Sequence, residues 1–365
     1  MILEIHRRYA VSPKQRIILY VIFLILGITI FVIIELTQGI APTRVLSELF
    51  ISPFTNPAQV LITLRYTIPI GLSALGLLLV YKAGIYSIGA EGQMAVGAVL
   101  TAWAALFLVP NYPPPIAIAI SIIFGALGGA LWGIIPGILK GLIGTNEIIT
   151  TLMMNFIAYT IIDYLIYGPW RSPKAYNFPF TNPVPKNTQL LVIGDSRFSP
   201  MAFVIFIVMV IVSFIILNKT KLGFELRTFG ANPKAAYASG MSFAKVVILG
   251  MFLSGMLAGI AGSIQLLAVH HYLGPKPWNV TEGLGYTAIL AAWLAGLNPL
   301  AVLPTAFLLG GLVNGSFNLR AALNQPAGIV DLMTSTLLLS IISAEFFLNY
   351  SIKLRIPRGV SRGVK

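Results

Sequence analysis

Apolar residues run through this chain in long stretches separated by short polar ones. Ten stretches read as membrane-crossing helices, near residues 17–36, 59–81, 87–109, 115–138, 147–167, 200–217, 246–269, 284–297, 299–317 and 327–349. A helix needs about 20 apolar residues to cross a bilayer. The eighth stretch is short and merges towards the ninth at Asn298-Pro299. The pattern predicts an all-α polytopic membrane bundle of about ten transmembrane helices. Residues 1–16 form an N-terminal cytoplasmic segment, 17–350 the transmembrane domain and 351–365 a basic cytoplasmic tail.

Two polar segments stand apart. Residues 168–200 hold Pro169, Pro173, Pro179, Pro183, Pro185 and Pro200. That is too long and too proline-rich for a tight turn, so it reads as an ordered outer loop. Residues 218–245 form the longest polar stretch on the inner side. There Asn232 suits an N-cap, Pro233 the first helical position and Gly240 the stop. They predict a short helix from Lys234 to Ser239. Such a helix fits a groove of another protein or a plain interfacial connector.

Composition agrees with a membrane protein. The chain of 365 residues is 57% hydrophobic and 10% charged, with mean hydropathy +0.88; soluble domains carry about 25% charged residues. The net charge of +13 does not indicate nucleic acid. Its basic residues lie in the short connecting segments, where topology selects them. With the N-terminus inside, sixteen of the 24 Lys and Arg fall on the inner side and seven on the outer, with Arg65 inside a span. That bias places both termini in the cytoplasm. Arg7, Arg8, Lys14 and Arg16 precede an apolar run of spanning length with no small-x-small cleavage site, so the run reads as a retained first helix.

Small residues recur every fourth position: Gly125, Gly129, Gly133 and Gly137; Gly255 and Gly259; Gly311 and Gly315. Such faces let helix backbones approach closely. Enzyme signatures are missing: there is no HExxH, GxSxG or GxxxxGK[ST]. Cysteine is absent, which excludes disulfides and thiolate ligands. The adjacent His270 and His271 project to different sides and suit no shared metal. Asp163 and Asp331 lack a protease motif. No catalytic or metal site is expected.

The remaining signal is polar residues inside spans, which are costly in hydrocarbon. Glu91 and Gln93 lie in the third span; Asn146 and Glu147 open the fifth, followed by Thr151 and Asn155. Glu147, Thr151 and Asn155 are spaced i, i+4, i+8 and share one helix face. That face suits hydrogen bonds between helices or the lining of a pathway; Asn146 and Glu147 also suit a capped helix start. Gly84, Gly89, Gly92 and Gly97 predict an interrupted helix around Glu91. Glu91 then has two open roles, capping freed amides or facing a substrate path.

Three strings, "GIYSIGAEGQMAVGA", "GTNEIITTLMMNFIA" and "LGFELRTFGANPKAAYASGMS", resemble permease subunits of ATP-binding-cassette importers. The branch handles branched-chain amino acids, simple sugars and nucleosides, and the strings are most like the nucleoside type. The similarity covers roughly residues 60 to 345. The resemblance implies a second permease chain (a copy or a paralogue), two cytosolic ATP-binding subunits and an extracytoplasmic solute-binding protein. ATP and Mg would be used by the partner ATPase, with no cofactor in this chain. It implies a cell-membrane location and alternating access. The ATPase would seat on Gly223, Arg227, Gly230, Asn232, Pro233, Ala235, Ala236 and Gly240. The substrate path would take Glu91, Gln93, Asn146, Glu147, Thr151 and Asn155, with Tyr159 and Trp170 as further contacts. The alternatives are a sugar or branched-chain amino acid importer, or an ion-coupled transporter using Glu91, Glu147 and Asp331.

Overall fold

The computed structural model describes residues 2–7, 13–275, 279–323 and 328–355. Its elements are β1 (Ile2–Arg7), α1 (Pro13–Thr37), α2 (Pro42–Leu46), α3 (Ser52–Thr55), α4 (Pro57–Lys82), α5 (Ala90–Trp103), α6 (Pro114–Ile138) and α7 (Glu147–Tyr167). There follow α8 (Pro200–Lys219), α9 (Lys221–Ala231), α10 (Pro233–Ala238), α11 (Phe243–Ile264), α12 (Leu284–Leu294), α13 (Val302–Leu323), α14 (Gly328–Asn349) and β2 (Tyr350–Arg355). Several helices continue into a wide π-turn, as α11 does to His270.

Each expected span has its helix. Among the described residues, eight helices are long and apolar enough to cross a membrane. The other two expected spans coincide with shorter apolar stretches, Leu284–Leu294 and Ser335–Leu348. The protein is an all-α polytopic bundle, with one small addition. β1 and β2 pair antiparallel, Ile2 opposite Arg355 and Arg7 opposite Tyr350, a sheet that the sequence reading did not include. The basic tail beyond Arg355, Arg8 and Lys276 lie outside the described residues.

The chain divides into two units. The first joins residues 1–42 to 332–365. Within it α1 packs on α14: Phe23 stacks on Phe347 with centroids 5.4 Å apart, and a side chain at Gly27 would meet Ser340 Oγ at 2.5 Å. Ile18, Ile22, Ile25 and Ile33 of α1 stay exposed, as suits lipid.

The second unit, residues 43–331, is built around α11. The glycine faces do what their spacing predicts. Gly129 and Gly133 of α6 meet the α11 backbone at Gly255, Gly259 and Met251, and Gly97 of α5 meets Gly259. On α13, Gly311 faces Phe54 and Gly315 faces Leu49. Lipid gives helices no hydrophobic reason to associate, so backbone contact at small residues supplies dispersion energy instead. Polar bonds add to it: Asn314 Nδ2 donates to Gln59 O at 3.1 Å and to Thr63 Oγ1 at 3.2 Å.

The eighth crossing is the broken one. α12 has 11 residues, about 16 Å at 1.5 Å per residue, roughly half the hydrocarbon thickness. It runs beside α4 in the same direction: Arg65 pairs with Glu282 just before its start, and Tyr81 stacks on Trp293 near its end. The stretch from His271 to Gly283 leads into it without helix, with Leu273, Val280 and Thr281 buried. Irregular backbone at membrane depth survives only when protein satisfies it. The outer loop does so. Thr181 N donates to Leu273 O at 3.1 Å, Leu273 N to Thr181 Oγ1 at 3.0 Å, and Val184 N to His271 O at 2.7 Å.

The expected interruption around Glu91 is corrected. α5 is continuous from Ala90, and Ala83–Gly89 is the connection from α4. Gly92 and Gly97 serve close packing, not a break: a Cβ at Gly92 would sit 2.7 Å from Asn155 Oδ1.

Candidate functional site: a braced half-helix inside the bundle

Glu91 occupies the first turn of α5, fully buried. Its carboxylate does not cap its own helix. Oε2 accepts the Gly285 N–H at 2.8 Å, and Oε1 accepts the Tyr159 hydroxyl at 2.5 Å. Gly285 lies in the first turn of α12, so the acid sits at the positive end of that half-helix. The approach needs glycine, since a Cβ at Gly285 would fall 2.5 Å from Glu91 N and Cα. The elbow before it is left-handed at Glu282 (φ 50°) and Gly283 (φ 74°).

The polar face of α7 grips the connection between α4 and α5. Asn146 caps its own helix, accepting from Ile148 N at 3.0 Å. Glu147 Oε1 accepts the Tyr86 N–H at 3.2 Å, and its Oε2 pairs with Lys140 Nζ at 2.8 Å. Thr151 Oγ1 accepts the Ile88 N–H at 3.1 Å. Asn155 donates from Nδ2 to Ile88 O at 3.0 Å and accepts the Gly92 N–H at 2.9 Å. Three side chains at i, i+4, i+8 thus replace the hydrogen bonds that an irregular strand loses in lipid. Gln93 is not with them. It is buried against Gly133 of α6, and its amide has no partner among the described residues. Trp170 packs on Phe107, centroids 5.6 Å apart, well past the last turn of α7.

A second charged cluster holds the elbow from the other side. Arg65 Nη2 lies 3.2 Å from Glu282 Oε2, and His270 Nε2 lies 2.9 Å from Glu282 Oε1. Arg65 also rests over the Tyr66 ring, 4.2 Å from its centroid. The sequence pointed to Arg65 as a charge inside a span, but nothing in it singled out Glu282 or Tyr286.

The inner segment follows its caps. Asn232 Oδ1 accepts the Ala235 N–H at 3.2 Å, Pro233 opens α10 and Gly240 ends it at φ 75°. Preceding it is a helix the sequence did not reveal, α9, capped by Thr220 on Gly223 N at 3.2 Å. Arg227 donates to Leu217 O and Asn218 Oδ1, and Gly230 lies against Lys82 O. Phe229 clamps Tyr237 and Phe243, at 5.5 and 5.4 Å. Pro233, Lys234, Ala235 and Tyr237 are exposed, while Ala236 is buried.

A multi-span bundle with a broken crossing and a capped helical pair between two spans is the architecture of a membrane permease. The chain belongs to the family described as branched-chain amino acid transport system / permease component, which matches residues 59–342. It is therefore a multi-pass permease of the ATP-binding-cassette type, resident in the cell membrane. It is 29% identical to the guanosine ABC transporter permease protein NupP of Bacillus subtilis, over 92% of this chain and 95% of that one. It is 27% identical to the nucleoside ABC transporter permease protein NupB of Lactococcus lactis, over 84% and 85%. It is 26% identical to the glucose ABC transporter permease protein TsgB13 of Haloferax volcanii, over 88% and 85%.

Proposed function

We propose that this protein is the membrane-spanning subunit of an ATP-driven nucleoside importer. The similarity to a guanosine permease along almost the whole of both chains carries the reading, and the nucleoside permease supports it. A sugar importer is the second reading, favoured by the glucose relative. An ion-coupled carrier fits less well, because Glu91 and Glu147 already spend their oxygens on Gly285, Tyr159, Tyr86 and Lys140.

In this reading a second permease chain completes the pathway. Two cytosolic subunits bind ATP and Mg and hydrolyse ATP, and a solute-binding protein delivers substrate from outside. The exposed edge of α10 is the seat for the ATPase, with α9 as its rigid mount. Both termini lie in the cytoplasm; the pairing of β1 with β2 supports a common side for the two ends. Nucleotide-driven closure pushes α10, and the mount passes that push to α4 through the Gly230–Lys82 contact. Only differential affinity of ATPase and substrate for the two states moves the equilibrium.

Proteoliposomes holding this chain with its ATPase and binding protein test the reading. Guanosine uptake is expected to require ATP and to survive a proton uncoupler. Uptake that an uncoupler stops and ATP does not drive would establish ion coupling; uptake of glucose alone would establish the sugar reading. Ala235→Glu, on the exposed edge, is expected to abolish uptake while ATP hydrolysis continues. Ala236 does not suit this test, because it is buried within the loop.

A further inference from the structure

We propose that the open side of α12 is a stacking track for the base of a nucleoside moving to the inner exit. This rests on the nucleoside reading above and adds which residues take which part of the ligand. Tyr286 and Trp293 are seven residues apart, about two turns, and share one side of α12. Both are half-buried in a helix whose other positions are mostly buried. Trp293 stacks on Tyr81 at 5.1 Å and 23°, and on Tyr86 at 5.9 Å and 25°. Tyr81 is buried and its hydroxyl donates to Ser87 O at 2.7 Å, which anchors the set. Tyr86 is the open end, 46% exposed, with its backbone held by Glu147.

Polar groups accompany the rings. The Tyr286 hydroxyl lies 3.4 Å from Asn155 Nδ2, and the Tyr159 hydroxyl, on Glu91, lies 3.4 Å from Thr281 Oγ1. The contrast with a lipid-facing surface is plain. The exposed face of α8 presents Met201, Val204, Val208, Ile211 and Ile215, a face with no ring and no polar tip. Half-open rings beside phenols and an amide suit a ligand with one flat π-face and several hydroxyls. Base–aromatic stacking tolerates different bases, and a free hexose has no aromatic face to offer. The base therefore stacks on the open side of Trp293 and Tyr86, while a ribose hydroxyl meets the Tyr286 hydroxyl, which buried Asn155 holds in place.

The reconstituted transporter described above tests this, in wild type and variant forms. Trp293→Leu and Tyr86→Leu are each expected to lower guanosine uptake about five- to a hundredfold, the range for one lost base stack. Trp293→Phe keeps a ring and is expected to stay within about threefold of wild type. An azidopurine nucleoside is expected to photolabel the wild-type protein at Tyr86, Tyr286 or Trp293, in competition with guanosine. Wild-type uptake by Trp293→Leu, or labelling confined to other helices, would overturn the track while leaving nucleoside import intact. If Trp293→Leu fails to accumulate, the photolabel on wild type decides. A wild-type transporter that imports no nucleoside removes the function and the track together, and that arm shows it separately.

Discussion

Glu91 and Glu282 reach the same elbow ahead of α12 and are held there by opposite means. Glu91, fully buried, meets an amide and a phenol and sits at a helix N-terminus. Glu282, with its side chain 14% exposed, meets Arg65 and lies against His270. In hydrocarbon, a second full charge brings its own desolvation cost, so oriented dipoles are the cheaper partners. Glu282 and Arg65 keep a small exposure, 14% and 15% of their side chains, which reduces that cost and allows an ion pair. Together the two acids fix the start of a half-helix from both sides, and the track on its open face depends on that placement.

The largest effect is expected at the ionic side. Glu282→Ala leaves Arg65 without its partner, at about 3–5 kcal/mol for a buried pair, read as a lower thermal midpoint in detergent. Replacing both by leucine is expected to recover much of that loss; a double variant as weak as the single would show that the pair is not a unit. Next comes Glu91→Ala, which strands the Gly285 N–H and the Tyr159 hydroxyl, at about 1–3 kcal/mol for each unsatisfied group. Glu91→Gln keeps an acceptor for Gly285 and is expected to lose less stability than alanine. Equal midpoints for the two variants would remove the dipole contact from the account.

The smallest effect is expected for Lys140→Met, whose partner is Glu147. That side chain is 24% exposed, and such pairs contribute about 0–1 kcal/mol.

Much of the fold was legible because its causes are short in range. Hydropathy over some 20 residues places a span, and four-residue spacing of Gly125, Gly129 and Gly133 marks a contact face. Asn232, Pro233 and Gly240 set the ends of α10 within a turn of themselves. The polar face of α7 was legible as a face, but its use was not. Thr151 and Asn155 bind chain segments 63 and 67 residues away, and no periodicity encodes such a partner. The sequence also placed the interruption in the third span, where glycines cluster. It belongs to the eighth, where Leu284–Leu294 is too short to cross.

The sequence by itself determined a polytopic helical membrane protein, its permease family resemblance and the caps of its inner helix. These follow from burial in lipid and from hydrogen bonds within a few residues. Only the tertiary structure decided that Glu91 caps Gly285, 194 residues on, and that Arg65 meets Glu282 across 217. A buried carboxylate must find donors, but which donors reach it is set by where helices cross, and that is a property of the packed bundle.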